Sequence, residues 1–117
     1  MAEGNGYIPT EIWKARRSWM ALSVQDRGEF FEHKIGPLIG EMLEAGAEFL
    51  GCAINDNEGA ERIDYRYMAV WKMPSRELSQ RLESGAKAAG FLEYFEQVNF
   101  SGSMITPDIM NADMINL

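Results

Sequence analysis

The sequence contains one cysteine and one histidine in 117 residues. A single thiol, Cys52, excludes an intrachain disulfide and a cysteine-based zinc site. A single imidazole, His33, excludes a histidine-rich metal site and leaves a Ser-His-Asp triad dependent on that one residue. Cations are scarce: 11 Lys and Arg stand against 18 Asp and Glu, for a formal net charge of −7. Nucleic acids and anionic membranes are polyanionic, so this balance argues against both as partners. No apolar run approaches the roughly 18 residues of a membrane span. The start, Met1 to Gly6, lacks the basic and apolar regions of a signal peptide. The expectation is a soluble cytoplasmic protein.

What is present is an ordinary globular composition, 46% hydrophobic and 25% charged. One domain of this size forms a core without staples. Residues 1–9 read as a flexible N-terminus, 10–102 as the folded domain and 103–117 as an arm or tail. Within the domain, Thr10–Arg17 reads as a strand. Ser23 followed by Asp26 resembles a capping box that opens a helix from Val24 to Ala45, ended by Gly46. Phe31, Ile35, Leu38, Ile39 and Met42 form its apolar stripe. Pro37 lies inside this helix and predicts a kink near Gly36. Ala47–Ile54 and Tyr65–Met73 read as strands separated by a polar turn. Ser75 caps a second helix, Arg76–Ala89, stopped by Gly90, and Phe95–Ser101 reads as the last strand. The order β-α-β-β-α-β is an α+β, ferredoxin-like arrangement with a four-stranded antiparallel sheet and two helices on one face.

Strand alternation divides the sheet into two faces. One gathers Trp13 and Ala15; Phe49, Gly51 and Ala53; Tyr65, Tyr67, Ala69 and Trp71; and Phe95, Gln97 and Asn99. The other gathers Ile12, Leu50, Cys52, Ile54, Met68, Val70, Val98 and Phe100 with Lys14, Arg16, Arg66 and Lys72 against Glu48 and Glu96. Neither is plainly solvated, and helices cover only one. An uncovered apolar face marks an interface, so a homodimer joined face to face is expected.

The aromatic face alternates large rings with small residues, which fits either ordinary core or a cavity for a small hydrophobic or aromatic ligand. In the cavity reading Asn99, Tyr67 and Trp71 are the catalytic candidates, Asn99 and Tyr67 hydrogen-bonding a substrate oxygen. Trp13, Tyr65, Gln97 and Phe31 are substrate-binding candidates. Arg16 is a candidate anchor for a carboxylate, against a bland role in cross-strand ion pairs. No cofactor and no metal is expected. His33 falls on the solvated side of its helix with Glu29 and Glu44. Cys52 reads as a small buried hydrophobe. Asp56, Glu58, Glu61 and Asp64 lack calcium-loop spacing, and Gly4-Asn5-Gly6 lacks the strand and helix of a phosphate loop.

Four segments carry a family resemblance: Trp19-Met20-Ala21-Leu22-Ser23-Val24-Gln25-Asp26-Arg27, Ile35-Gly36-Pro37-Leu38, Val70-Trp71-Lys72 and Phe91-Leu92-Glu93-Tyr94-Phe95-Glu96-Gln97-Val98. Over roughly residues 10–102 the chain resembles darcynin-type small bacterial proteins and the dimeric α+β barrel group that contains the antibiotic-biosynthesis monooxygenases. The resemblance implies a homodimer with a pocket between sheet and helices. It implies cofactor-free oxygenation of aromatic or polyketide-like compounds, isomerisation or cyclisation, or haem-related chemistry, with Trp71 and Asn99 lining the pocket. A non-catalytic ligand-binding or structural dimer is the alternative. The sequence departs from the pattern in lacking an inward histidine.

Overall fold

Alternating residues form four strands and 3.6-residue periodicity forms the helices between them. The computed structural model describes residues 6–117. Its elements are β1 (Tyr7–Ala15), α1 (Arg17–Met20), α2 (Val24–Phe30), a π-helical turn (Phe31–Ile35), α3 (Gly36–Glu44), β2 (Glu48–Ile54), β3 (Tyr67–Lys72), α4 (Arg76–Ala88), α5 (Phe91–Tyr94), β4 (Phe95–Ser103) and α6 (Pro107–Ile115). The sheet order is β2-β3-β1-β4, and every neighbouring pair is antiparallel. This is the expected ferredoxin-like α+β fold.

Local chemistry sets the helix ends. Ser23 Oγ accepts the Asp26 amide at 3.0 Å and Ser75 Oγ accepts the Leu78 amide at 3.1 Å, each satisfying an amide that has no partner within its helix. Gly46 (φ +103°) and Gly90 (φ +93°) end the helices in the left-handed region, where a Cβ is penalised.

Several elements differ from expectation, β3 beginning at Tyr67 rather than Tyr65 and β4 ending at Ser103 rather than Ser101 among them. The first strand begins at Tyr7, three residues early, because Tyr7 and Met73 exchange backbone hydrogen bonds of 2.9 and 2.7 Å. It ends at Ala15 because the Arg16 amide turns to the Tyr94 carbonyl, 2.8 Å away. The segment read as loose is therefore strand from Tyr7 onward, and residues 1–5 lie outside the described residues. The long helix is not simply kinked: Pro37 has no amide to donate, and the chain winds one π turn, in which the Gly36 amide reaches back to the Phe31 carbonyl. Residues 107–115 form a helix, with Thr106 Oγ1 accepting the Ile109 amide.

A further difference lies in β2. Phe49 pairs with Trp71, but Gly51 pairs with Val70 and Cys52 with Ala69, a bulge that inserts one extra residue. From there on the alternation is reversed. Cys52 and Ile54 share the Trp71 face, and Gly51 and Ala53 share the opposite one, the reverse of simple alternation.

The helices cover the face bearing Trp13, Ala69 and Trp71. Met42, Trp71, Met73, Leu78 and Leu82 form one buried cluster, and Trp19, Ala86, Phe91 and Phe95 a second. Gly85 allows α4 to approach α3 closely: a Cβ there would lie 2.6 Å from Leu38 Cδ1. The opposite sheet face carries no helix. Ile12, Met68 and Val70 on its inner strands and Val98 and Phe100 on its β4 edge are apolar, and Phe100 is 74% exposed. Among the described residues no helix is long and apolar enough to cross a membrane.

Candidate functional site

Between the two buried clusters lies a cavity of about 350 Å³, within the size range of small-molecule pockets. Its floor is the sheet: Glu11 and Trp13 from β1, Phe49 and Cys52 from β2, Ala69 and Trp71 from β3. Its roof is the π turn and α3, through Phe31, Ile35, Leu38 and Ile39. Leu82, Ala86 and Phe91 close the remaining side. Large rings meet small residues here, as the alternation of Trp71 and Ala69 predicts. The rim is open, with Phe31 41% and Phe49 47% exposed.

Glu11 is the one charged residue among those lining the cavity. It lies between Ala69 of β3 and Asn99 of β4, its cross-strand partners. Trp71 Nε1 donates to Glu11 Oε1 at 3.2 Å, and Gln97 Nε2 donates to Glu11 Oε2 at 3.2 Å. Gln97 Nε2 also donates to Asn99 Oδ1 at 2.8 Å. Burial pushes the Glu11 carboxyl above the ordinary carboxylate range. The donors from Trp71 and Gln97 oppose that rise, and the Glu83 charge adds to it. A carboxyl of this kind is held in one orientation by its two donors. Sequence reading passed over Glu11, although it alternates with Trp13 and Ala15 on the same face. An acid in a strand among apolar neighbours was the available signal.

The other candidates divide by position. Trp13, Trp71 and Phe31 line the cavity. Gln97 and Asn99 stand behind Glu11 and face a polar recess of about 320 Å³ shared with Gln80, Glu83, Ser84 and Lys87. Tyr67 packs against Trp13 (5.8 Å between ring centres) but lines a different hollow on the side of the β2–β3 loop. Tyr65 donates to Glu96 Oε2 at 3.0 Å and lines the same hollow. Arg16 Nε donates to the Leu92 carbonyl at 3.1 Å, tying β1 to α5 away from the cavity. Cys52 is exposed at the cavity rim rather than buried: the β2 bulge turns it to this face, and β2 is an edge strand of the sheet.

The cavity residues do not offer a haem an imidazole. The His33 side chain is 67% exposed beside Glu32, 3.8 Å away. Among the described residues no three His, Cys, Asp or Glu side chains group closely enough to hold a metal ion.

The fold is shared widely. A solved structure described provisionally as a chlorite dismutase superposes with a TM-score of 0.66 at 14% identity, covering 86% of this chain and 44% of its own. The chain thus spans less than half the length of that protein. A dimeric ferredoxin-like protein of unknown function from Thermobifida fusca YX superposes with a TM-score of 0.51 at 8% identity, covering 85% of this chain and 91% of its own. At these identities the likeness is one of fold. No curated protein matches the sequence. A family model matches residues 6–117, all of the described residues, and the protein therefore belongs to the family of unknown function DUF6616.

Proposed function

We propose that this protein is a homodimeric, small-molecule-binding α+β barrel whose cavity takes an aromatic or polyketide-like compound. One observation carries the proposal: an apolar, aromatic-lined cavity with a single carboxyl, Glu11, fixed on its floor. The resemblance to darcynin-type proteins and antibiotic-biosynthesis monooxygenases supports the same reading, and with it cofactor-independent oxygenation.

In that chemistry Glu11 is the general base. It takes a proton from an activated methylene or phenol, and its raised proton affinity suits the task. Trp13, Trp71 and Phe31 hold the ring. Gln97, itself held by Asn99, positions Glu11. The resulting carbanion gives its electrons to dioxygen. A methylene becomes a carbonyl, with one oxygen atom kept in the product and the other released as water. An oxygen electrode with purified protein and anthrone tests this: uptake is expected, slowed about 100-fold or more by Glu11→Gln, the usual scale of a lost general base. Uptake unaffected by that change removes Glu11 as the base, and no uptake removes the oxygenase reading. Tight binding with no uptake leaves the ligand-binding module.

The dimer rests on the uncovered sheet face and on α6. Ile109, Met110, Met114 and Ile115 are all exposed, the last at 80%. A nine-residue helix is marginal in water on its own. Packing α6 across a partner's bare sheet covers both apolar surfaces by one two-fold operation. The dimeric neighbour from Thermobifida fusca accords with this.

A further inference from the structure

We infer that the cavity selects an apolar molecule bearing a cationic amine, such as an arylalkylamine, and rejects carboxylates. The inference rests on the cavity reading above and not on the oxygenase chemistry.

Both Glu11 oxygens already accept hydrogen bonds, Oε1 from Trp71 and Oε2 from Gln97. That pattern is the one an ionised carboxylate accepts. A protein donor on each oxygen still leaves each oxygen a second lone pair, so a ligand meeting this carboxylate brings a donor rather than an acceptor. No Lys or Arg lines the cavity to meet an anion. Glu83 adds a second negative charge close enough to bear on Glu11. The walls favour a cation as well. Trp13, Trp71, Phe31, Phe49 and Phe91 line the space, and ring faces attract organic cations, most strongly in tryptophan. Around them the lining is aliphatic, so the rest of the ligand is hydrocarbon. An ammonium on Glu11 also relieves the penalty of holding that carboxylate out of water.

Calorimetric titration with a matched series tests this: phenylpropylamine, phenylpropanol, phenylpropanoate and propylbenzene, all at pH 7. The amine is expected to bind at least about tenfold tighter than the alcohol, with the carboxylate weakest, because an interaction with a charged, partly desolvated group is worth that much. In Glu11→Gln the ratio of amine to alcohol affinity is expected to fall to about one. The wild-type series needs no variant and stands if the variant fails to fold. An amine no tighter than the alcohol or the carboxylate, or a preference that survives in Glu11→Gln, overturns the inference while binding of propylbenzene keeps the cavity reading. No binding by any of the four removes both.

Discussion

The indole of Trp71 on β3 donates to the carboxylate of Glu11 on β1 across 3.2 Å. Trp71 is 1% exposed, so its N–H has little access to water. A buried N–H needs a partner, and a buried carboxylate needs donors. Each residue supplies what the other requires, and the pair fixes the one polar point of an otherwise apolar cavity.

Trp71→Phe keeps most of the ring and deletes the donor. Losing a hydrogen bond to a charged group costs about 1.5–3 kcal/mol. Urea denaturation at pH 7 should show a loss in this range. Trp71→Ala should cost more, about 3–5 kcal/mol, because a cavity is added to the lost contact.

Glu11 sets a pH dependence whose sign is fixed by its raised proton affinity. The folded protein holds the Glu11 proton more tightly than the unfolded chain does. The stability from this group is therefore complete below the ordinary carboxylate pKa of about 4.3 and is lost as pH rises through the higher folded value. Glu11→Gln removes that loss. Thermal melts should show the variant gaining on the wild type as pH rises from about 4. A difference that is constant with pH would refute this account.

Gly85→Ala places a methyl group 2.6 Å from Leu38 Cδ1. Alanine gains about 1 kcal/mol of helix propensity, which offsets the cost of overpacking. Global stability should change by less than about 1 kcal/mol in chemical denaturation. Leu38 lines the cavity, and if the added methyl displaces it into that space, affinity for propylbenzene should fall about tenfold, a loss of about 1.4 kcal/mol. Unchanged affinity would show that the Leu38 side of the cavity is not used.

Phe100→Asp and Val98→Asp place charge on the bare sheet face, on its β4 edge. Sedimentation at micromolar concentration should show the wild type as a dimer and both variants as monomers with unchanged far-ultraviolet circular dichroism. A monomeric wild type would remove the dimer.

Ser75→Ala deletes the cap on α4. A cap of this kind contributes about 1 kcal/mol, and α4 buries Leu78 and Leu82, so the loss should appear in global unfolding. Thr106→Ala removes the cap of α6, whose residues are all exposed, and should lower helicity without shifting the main transition.

Elements fixed by near neighbours were legible in the chain. Ser23 and Ser75 opened helices and Gly46 and Gly90 closed them, because a cap acts across three or four residues. Alternation in β3 placed Trp71 beside Ala69 on the covered face, since side-chain period two is a property of the strand itself, but left core and cavity both open there. Tertiary pairing decided the rest. The β2 bulge arises only where Phe49 and Gly51 meet Trp71 and Val70, and it alone turns Cys52 toward the cavity. The π turn follows from how Pro37 is accommodated while Ile35 and Leu38 keep their place over the sheet. Glu11 becomes a held carboxyl only when β3 and β4 bring Trp71 and Gln97 to its two oxygens. Sequence distance hides such contacts, because a hydrogen bond between strands is set by register, and register is set by the whole sheet.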